Sequence, residues 1–281
     1  MSGTLYLVAT PIGNLEDMTF RAIRILKEVD IIAAEDTRQT RKLLTHYEIA
    51  NRCVSYHEHN KRASGPELIR LLEEGQSIAL VSDAGTPAIS DPGYELVVAA
   101  IEADITVVPV PGANAAISTL ITSGLSTERF AFIGFLPRDK KKRKQELEKT
   151  SGFTGTVLFY ESPHRIVETL THMLDVWGNR AICLGRELTK RHEEIWRGTI
   201  TEALLKFEQT PPLGEFVIAV EGFNGDAQAE DPTGQWWSEL SIEEHYNHYL
   251  SNGADRKQAL KQVADDRGVN KKQIYAELHV E

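Results

Sequence analysis

Five short apolar runs, each followed by a stretch with helical spacing, fill the first half of the chain and restrict its fold more than any other feature. The runs are TLYLVAT (residues 4–10), IIAAED (31–36), RCVSYHE (52–58), SIALVSD (77–83) and TVVPV (106–110). They are rich in β-branched residues and mostly continuous rather than alternating, which suits strands buried on both faces. Between them LEDMTFRAIRILKEV, TRQTRKLLTHY, GPELIRLLEEG, YELVVAAIEA and GANAAISTLITSGL place apolar residues three or four apart. The pattern predicts an α/β fold, a mostly parallel sheet between two helical layers.

A second set follows an abrupt basic stretch, PRDKKKRKQELEK (137–149). GTVLFYES (155–162), RAICLGREL (180–188) and EFVIAVEG (215–222) read as strands, HRIVETLTHMLDVW (164–177) and TITEALLKF (199–207) as helices, and HEEIWRGTI as an antiparallel addition. A chain of 281 residues accommodates two such domains, with the boundary near 115–140. The expected division is 1–125, 126–224, a linker at 225–238 without apolar periodicity, and a helical tail at 239–281. Within the tail ALKQVADDRGVNKKQIYAEL has helix-turn-helix spacing around Gly268, with Ala264, Val269 and Ile274 as the expected packing residues. Trp236 and Trp237 are expected to pin the tail to the body.

The two cysteines, Cys53 and Cys183, sit in apolar surroundings and form no CxxC pair, as in a reducing compartment. No basic leader and no run long enough to cross a membrane begin the chain, so a cytoplasmic protein without membrane contact is expected. The net charge of -10, from 31 Lys and Arg against 41 Asp and Glu, disfavours indiscriminate nucleic-acid binding while leaving room for local basic patches.

Among common sites, GxGxxG after the first strand, GxxxxGK[ST], GxSxG and HExxH are all missing. His57-Glu58-His59 has no evident third ligand and reads as a solvated strand end, so no metal is expected. Three Gly/Pro loops remain: Ala9–Asn14 after the first strand, VSDAGTPAISDPG (81–93) after the fourth, and Val110–Asn114 after the fifth. All lie at strand C-terminal ends, where open α/β sheets bind ligands. No lysine or arginine occurs from Gly75 to Glu128, and Asp83 adds a carboxylate there. A phosphate-rich ligand is therefore disfavoured and a neutral or cationic one favoured. Ser90-Asp91-Pro92-Gly93 reads only as the start of a helix.

VATPIGNLEDMT, AAEDTRQTRKLL, VSDAGTPAISDPG, VPGANAAISTL, FIGFLPR, FYESPHRI and RELTKRHEE, in this order, resemble the tetrapyrrole-methylase-like S-adenosylmethionine-dependent methyltransferases. AEDTRQTRKLL and FYESPHR bring the resemblance closer to the branch that methylates ribose 2′-hydroxyls of small-subunit ribosomal RNA. The motifs span residues 5 to about 195, and the helix-turn-helix matches that branch's appendage. The resemblance implies two α/β domains with S-adenosylmethionine in the cleft between them, a homodimer, and ribosomal RNA or the small (30S) subunit as partner. It implies a cytidine in the decoding region as target.

By motif, it places Pro11 in the first cleft loop and Asp83, Gly85, Thr86, Ala113 and Asn114 at the cofactor. Phe159, Tyr160 and Leu188 would form the second domain's wall. Removal of a ribose hydroxyl proton calls for a base, or for stabilisation of oxygen charge. The candidates are Glu35, Asp36, Glu161 and His164, while Asp36 could equally be a helix cap. RNA phosphates would meet Arg38 and Arg41, the run Arg138, Lys140, Lys141, Lys142, Arg143 and Lys144, and Lys271 and Lys272 in the tail. Two other readings remain: a precorrin-type tetrapyrrole C-methyltransferase, and a helix-turn-helix regulator with a ligand-sensing α/β body.

Overall fold

A computed structural model describes residues 2–224, 237, 240–251 and 254–278. By internal contacts the chain divides into Met1–Phe223 and Asn224–Glu281.

The first sheet contains β1 (Thr4–Val8), β2 (Ile31–Ala34), β3 (Arg52–Ser55), β4 (Ile78–Val81) and β5 (Thr106–Val110), in the order β3-β2-β4-β1-β5. Every pairing is parallel. Successive strand residues point to opposite faces, which sorts the core into two layers. Val8, Ile32, Ala34, Ala79 and Val81 meet α1 (Phe20–Glu28) and α2 (Thr37–His46). Leu5, Ile31, Ala33, Ile78 and Leu80 meet α3 (Lys61–Glu73) and α4 (Tyr94–Glu102). This explains why the central runs are continuous: both faces of β2 and β4 are dry, whereas the edge strands β3 and β5 keep exposed residues. The chain leaves β1 toward one helical layer and β4 toward the other, although the two strands are neighbours. That reversal opens a crevice beyond their C-terminal ends.

The second sheet takes β6 (Phe130–Phe135), β7 (Thr156–Glu161), β8 (Ala181–Arg186), β9 (Glu194–Thr199) and β10 (Phe216–Val220), in the order β6-β7-β10-β8-β9. Only β6 and β7 run parallel; the other pairs are antiparallel, including β9 from HEEIWRGTI. One face packs on α6 (Lys140–Thr150), α7 (Ile166–Trp177) and α8 (Ile200–Gln209) through Leu147, Leu170, Met173, Ile200 and Phe207. The other face carries α5 (Ala115–Ser123), whose Ala116 and Leu120 lie against Leu158, Cys183 and Ala219. A Cβ on Gly185 of β8 would stand 2.3 Å from Thr119 Oγ1, so glycine is what lets α5 approach so closely. The helix that follows the last strand of the first sheet thus packs on the second sheet, fastening the two halves together.

In the tail, α9 (Ile242–Ser251), α10 (Arg256–Asp266) and α11 (Lys271–Leu278) surround Val263, Ala264 and Ile274. Asp255 caps α10 in a reciprocal capping box with Gln258. Gly268 takes a left-handed φ of 63° between α10 and α11. Val269 departs from its expected packing role: it follows that left-handed residue and is 39% exposed, while Val263 fills the core position. His245 is buried, accepts from Arg267 Nε at 3.1 Å, lies 3.1 Å from Asp266 and stacks on Trp237. The expected linker lies outside the described residues apart from Trp237, and Trp236 lies outside them as well.

Candidate active site

The crevice beyond β1 and β4 is built from backbone first. Thr10 and Gly85 exchange N–H···O bonds of 2.9 and 3.0 Å, tying the loop after β1 to the loop after β4. Thr10 Oγ1 also donates to the Ser82 carbonyl at 3.2 Å. Gly85 has φ of 79°, and a Cβ there would stand 3.2 Å from Ile12, so a glycine serves both the turn and the approach. Asn114 caps α5 by accepting from Ile117 N–H at 3.0 Å, and its amide donates to Thr86 Oγ1 at 3.4 Å.

Across the crevice stands the second sheet. Together they enclose a cavity of about 360 Å³, within the size range of small-molecule sites. The first half contributes Ile12, Gly85, Thr86, Asp91 and Asn114, and the second Phe135, Tyr160, Leu188, Lys190 and Phe216. Tyr160 rests edge-on against Phe132 and Phe135, with centroids 4.8 and 5.6 Å away. Burial pushes its phenol pKa up, with Asp91 adding to the effect. Lys190 supplies the only cationic side chain in this wall, and it is already held by Glu187 at 3.0 Å and Glu215 at 2.7 Å. Ala88, Ser90, Glu187 and Thr189 all take positive φ on the loops around the cavity. Such backbone costs about 1–3 kcal/mol per residue and collects where a site must be shaped.

Gly85, Thr86, Asn114, Tyr160 and Leu188, which the motifs assign to the cofactor, line this cavity. Pro11 and Asp83 line a neighbouring cavity instead, and Ala113 sits behind Gly85 with its carbonyl 3.7 Å from that residue's would-be Cβ. Phe159 requires a correction. It alternates with Tyr160 along β7, so its ring points to the opposite face and packs 5.7 Å from Trp177, 1% exposed.

The candidate bases separate in the same way. Asp36 caps α2 and is chelated by Arg38, with Oδ1 to Nε at 3.0 Å and Oδ2 to Nη2 at 2.7 Å. Those Arg38 bonds draw its pKa down to about 2, which suits a cap and not a base. Glu161 is buried, with one oxygen accepting from Thr169 at 2.7 Å and the other from Ser162 N–H at 2.8 Å; it secures the entry to α7. His164 is exposed and lines neither cavity. Glu35 lines neither cavity either, but it is half-buried beside Asp83, which lines the second; burial and the charge of Asp83 raise its pKa.

Asp91 contradicts its expected role as a mere helix start. α4 is capped by Gly93 without a side-chain bond, and Asp91 turns into the cavity. Burial, then the charge of Glu35, lifts its pKa to about 6. Glu35, Asp83 and Asp91 therefore form one coupled carboxylate group at the ends of β2 and β4.

In the basic run, Arg138, Lys140, Lys141, Lys142 and Lys144 are exposed. Arg143 is a correction: at 1% exposure it donates to the Pro137 and Arg138 carbonyls at 3.1 and 3.0 Å and pairs with Glu168 at 3.0 Å. One position in a helical turn must face inward, and Arg143 occupies it. Arg38, Arg41, Lys271 and Lys272 are exposed.

The family model described as Tetrapyrrole (Corrin/Porphyrin) Methylases matches residues 4–204. This chain belongs to that family. Similar curated relatives are each named ribosomal RNA small subunit methyltransferase I. That of Halalkalibacterium halodurans is 60% identical, covering 99% of this chain and 96% of its own. Those of Bacillus subtilis and Synechocystis are 52% and 47% identical, covering 99% and 97% of this chain and 94% and 96% of their own. Among solved structures, a uroporphyrin-III-C-methyltransferase from Thermus thermophilus aligns with TM-score 0.53 and 20% identity, over 81% of this chain and 98% of its own. A cobalt precorrin-4 methyltransferase aligns with TM-score 0.57 and 14% identity, over 78% and 94%. At such identities these share the fold with this methylase family member, and no more. The chain is thus a methyltransferase with the two-sheet tetrapyrrole methylase fold. Among its described residues, no helix is long and apolar enough to cross a membrane.

Proposed function

We propose that the protein transfers a methyl group from S-adenosylmethionine to the 2′-hydroxyl of a cytidine in the decoding region of small-subunit ribosomal RNA. The observation that carries this reading is the 60% identity, over nearly the whole of both chains, to a relative named for the small-subunit ribosomal RNA.

The residues of the cavity fit the cofactor. Its apolar and aromatic wall (Ile12, Phe135, Leu188) suits an adenosine, and its carboxylates suit a cationic sulfonium. When bound, S-adenosylmethionine supplies a methyl group already activated toward a nucleophilic oxygen. Gly85, Thr86, Asn114, Tyr160 and Leu188 are assigned to hold it, with Pro11, Asp83 and Ala113 shaping the loops behind. Glu35, whose pKa burial and the charge of Asp83 raise, is assigned to take the ribose hydroxyl proton. The two halves of the body, 1–125 and 126–224, serve as the two walls of the cleft. Arg38, Arg41, Arg138, Lys140, Lys141, Lys142 and Lys144 would meet RNA phosphates, and the tail (239–281), with Lys271 and Lys272, would add an RNA-facing surface. A homodimer completes the reading.

The test uses purified protein, methyl-labelled S-adenosylmethionine and small subunits lacking this methylation. Label should appear as a 2′-O-methylcytidine in the decoding region. Labelling of a precorrin instead, or binding to duplex DNA with no transfer to RNA, would sink the reading.

A further inference from the structure

The crevice has a second compartment, and its chemistry differs from the first. It measures about 360 Å³ and is bounded by the loop after β1, the Ser82–Ala84 turn and the inner face of α2. Ile12, Ala84, Lys190 and Glu215 belong to both compartments, so a ligand in each would meet its neighbour across a shared wall. A further contact marks that wall. Gly13 lies against Lys190 so closely that a Cβ on it would stand 2.4 Å from Cγ.

Charge separates the compartments. The first carries Asp91, Glu161, Glu187 and Glu215 against Lys190 alone. The second adds Lys42, which is exposed and whose ammonium, among the described residues, donates to a neutral partner, Gln39 Oε1, at 3.0 Å. An adjoining hollow that shares Gly13, Leu15 and Lys190 with it is lined by Arg191, His46 and Glu16. Gln39 carries both donor and acceptor on one amide and stands in the wall, where it can read the edge of a base. Asp83, beside Glu35, lines this compartment and not the first.

We propose that this second compartment seats the acceptor, a single pyrimidine nucleotide unit of single-stranded RNA, with Lys42 on its phosphate and Gln39 on its base. The assignment rests on the RNA methyltransferase reading and gives it a substrate subsite. A nucleotide held here presents its ribose at the shared wall, next to the carboxylates and to the compartment assigned to the cofactor. Enclosure of one nucleotide also requires that it be unstacked from its neighbours, which single-stranded RNA permits at low cost.

The test compares full-length Lys42→Glu, Lys42→Arg and Gln39→Ala with the wild type. Three quantities are read: affinity for a short single-stranded RNA oligonucleotide by fluorescence anisotropy, affinity for S-adenosylmethionine by calorimetry, and transfer to undermodified small subunits. Lys42→Glu should weaken RNA binding by about tenfold or more, with Lys42→Arg restoring most of it. Gln39→Ala, which changes no charge, should cut transfer about tenfold with the salt dependence of RNA binding unaltered. Affinity for S-adenosylmethionine should stay within about twofold throughout. Wild-type transfer matched by both Lys42→Glu and Gln39→Ala overturns the subsite and leaves the function standing, as does a cofactor affinity that falls as far as the RNA affinity. No transfer by the wild type overturns the function, and the subsite with it.

Discussion

Asp91 lies between a proline and the end of a strand-to-helix turn, where an aspartate ordinarily serves the backbone. Here the backbone is managed by Gly93, and the carboxyl is left facing a cavity with Glu35 and Asp83 nearby. Its pKa of about 6 lies above the ordinary 3.8, so the folded protein holds this proton more tightly than the unfolded chain does. Stability from that group is fully present below the ordinary value and is lost as pH rises through about 6. Asp91→Asn, which cannot ionise, should therefore melt higher than the wild type at pH 8. The difference should shrink toward zero as pH falls below about 4. Melting curves across that range check it; a variant that melts lower at pH 8 would mean the carboxylate is a stabilising partner instead.

At the scale of elements, α6 divides a run of like charges between two tasks. Its exposed lysines meet solvent, while Arg143 turns inward and satisfies two carbonyls just before the helix as well as Glu168 on α7. Arg165 donates to the Leu136 and Pro137 carbonyls from the other side, at 2.7 and 3.3 Å. Phe135, at the cavity, is the residue immediately before this clamped segment. Arg143→Ala strips partners from buried groups and should cost about 2–4 kcal/mol in chemical denaturation. Lys141→Glu with Lys142→Glu should leave that stability nearly unchanged and reduce the steepness with which salt weakens RNA binding. Equal stability losses in the two variants would refute the division.

For the whole molecule, the two units set the expectation. A chain ending after Asn224 keeps both sheets and every cavity residue, so it should unfold in one cooperative transition and bind S-adenosylmethionine within about twofold of the full chain. Calorimetry on the truncated protein checks both, and lost cofactor binding would show that the tail supports the cleft.

The sequence by itself determined the strands of the first sheet, the three Gly/Pro loops at their ends, the antiparallel addition of β9 and the helices of the tail. Each follows from local rules: doubly buried strands need continuous apolar residues, turns need Gly and Pro, and helices need three-to-four spacing. The family was legible too, because its motifs are contiguous in the chain. Only the tertiary structure decided which way side chains point and what surrounds them. It sent Phe159 into the core and Tyr160 into the cleft, buried Arg143 among exposed lysines, and occupied both oxygens of Glu161. It also brought Glu35, Asp83 and Asp91, from the ends of two strands far apart in sequence, within electrostatic reach of one another. Burial and mutual charge depend on distances between segments, and those distances exist only once the two sheets and α5 have packed.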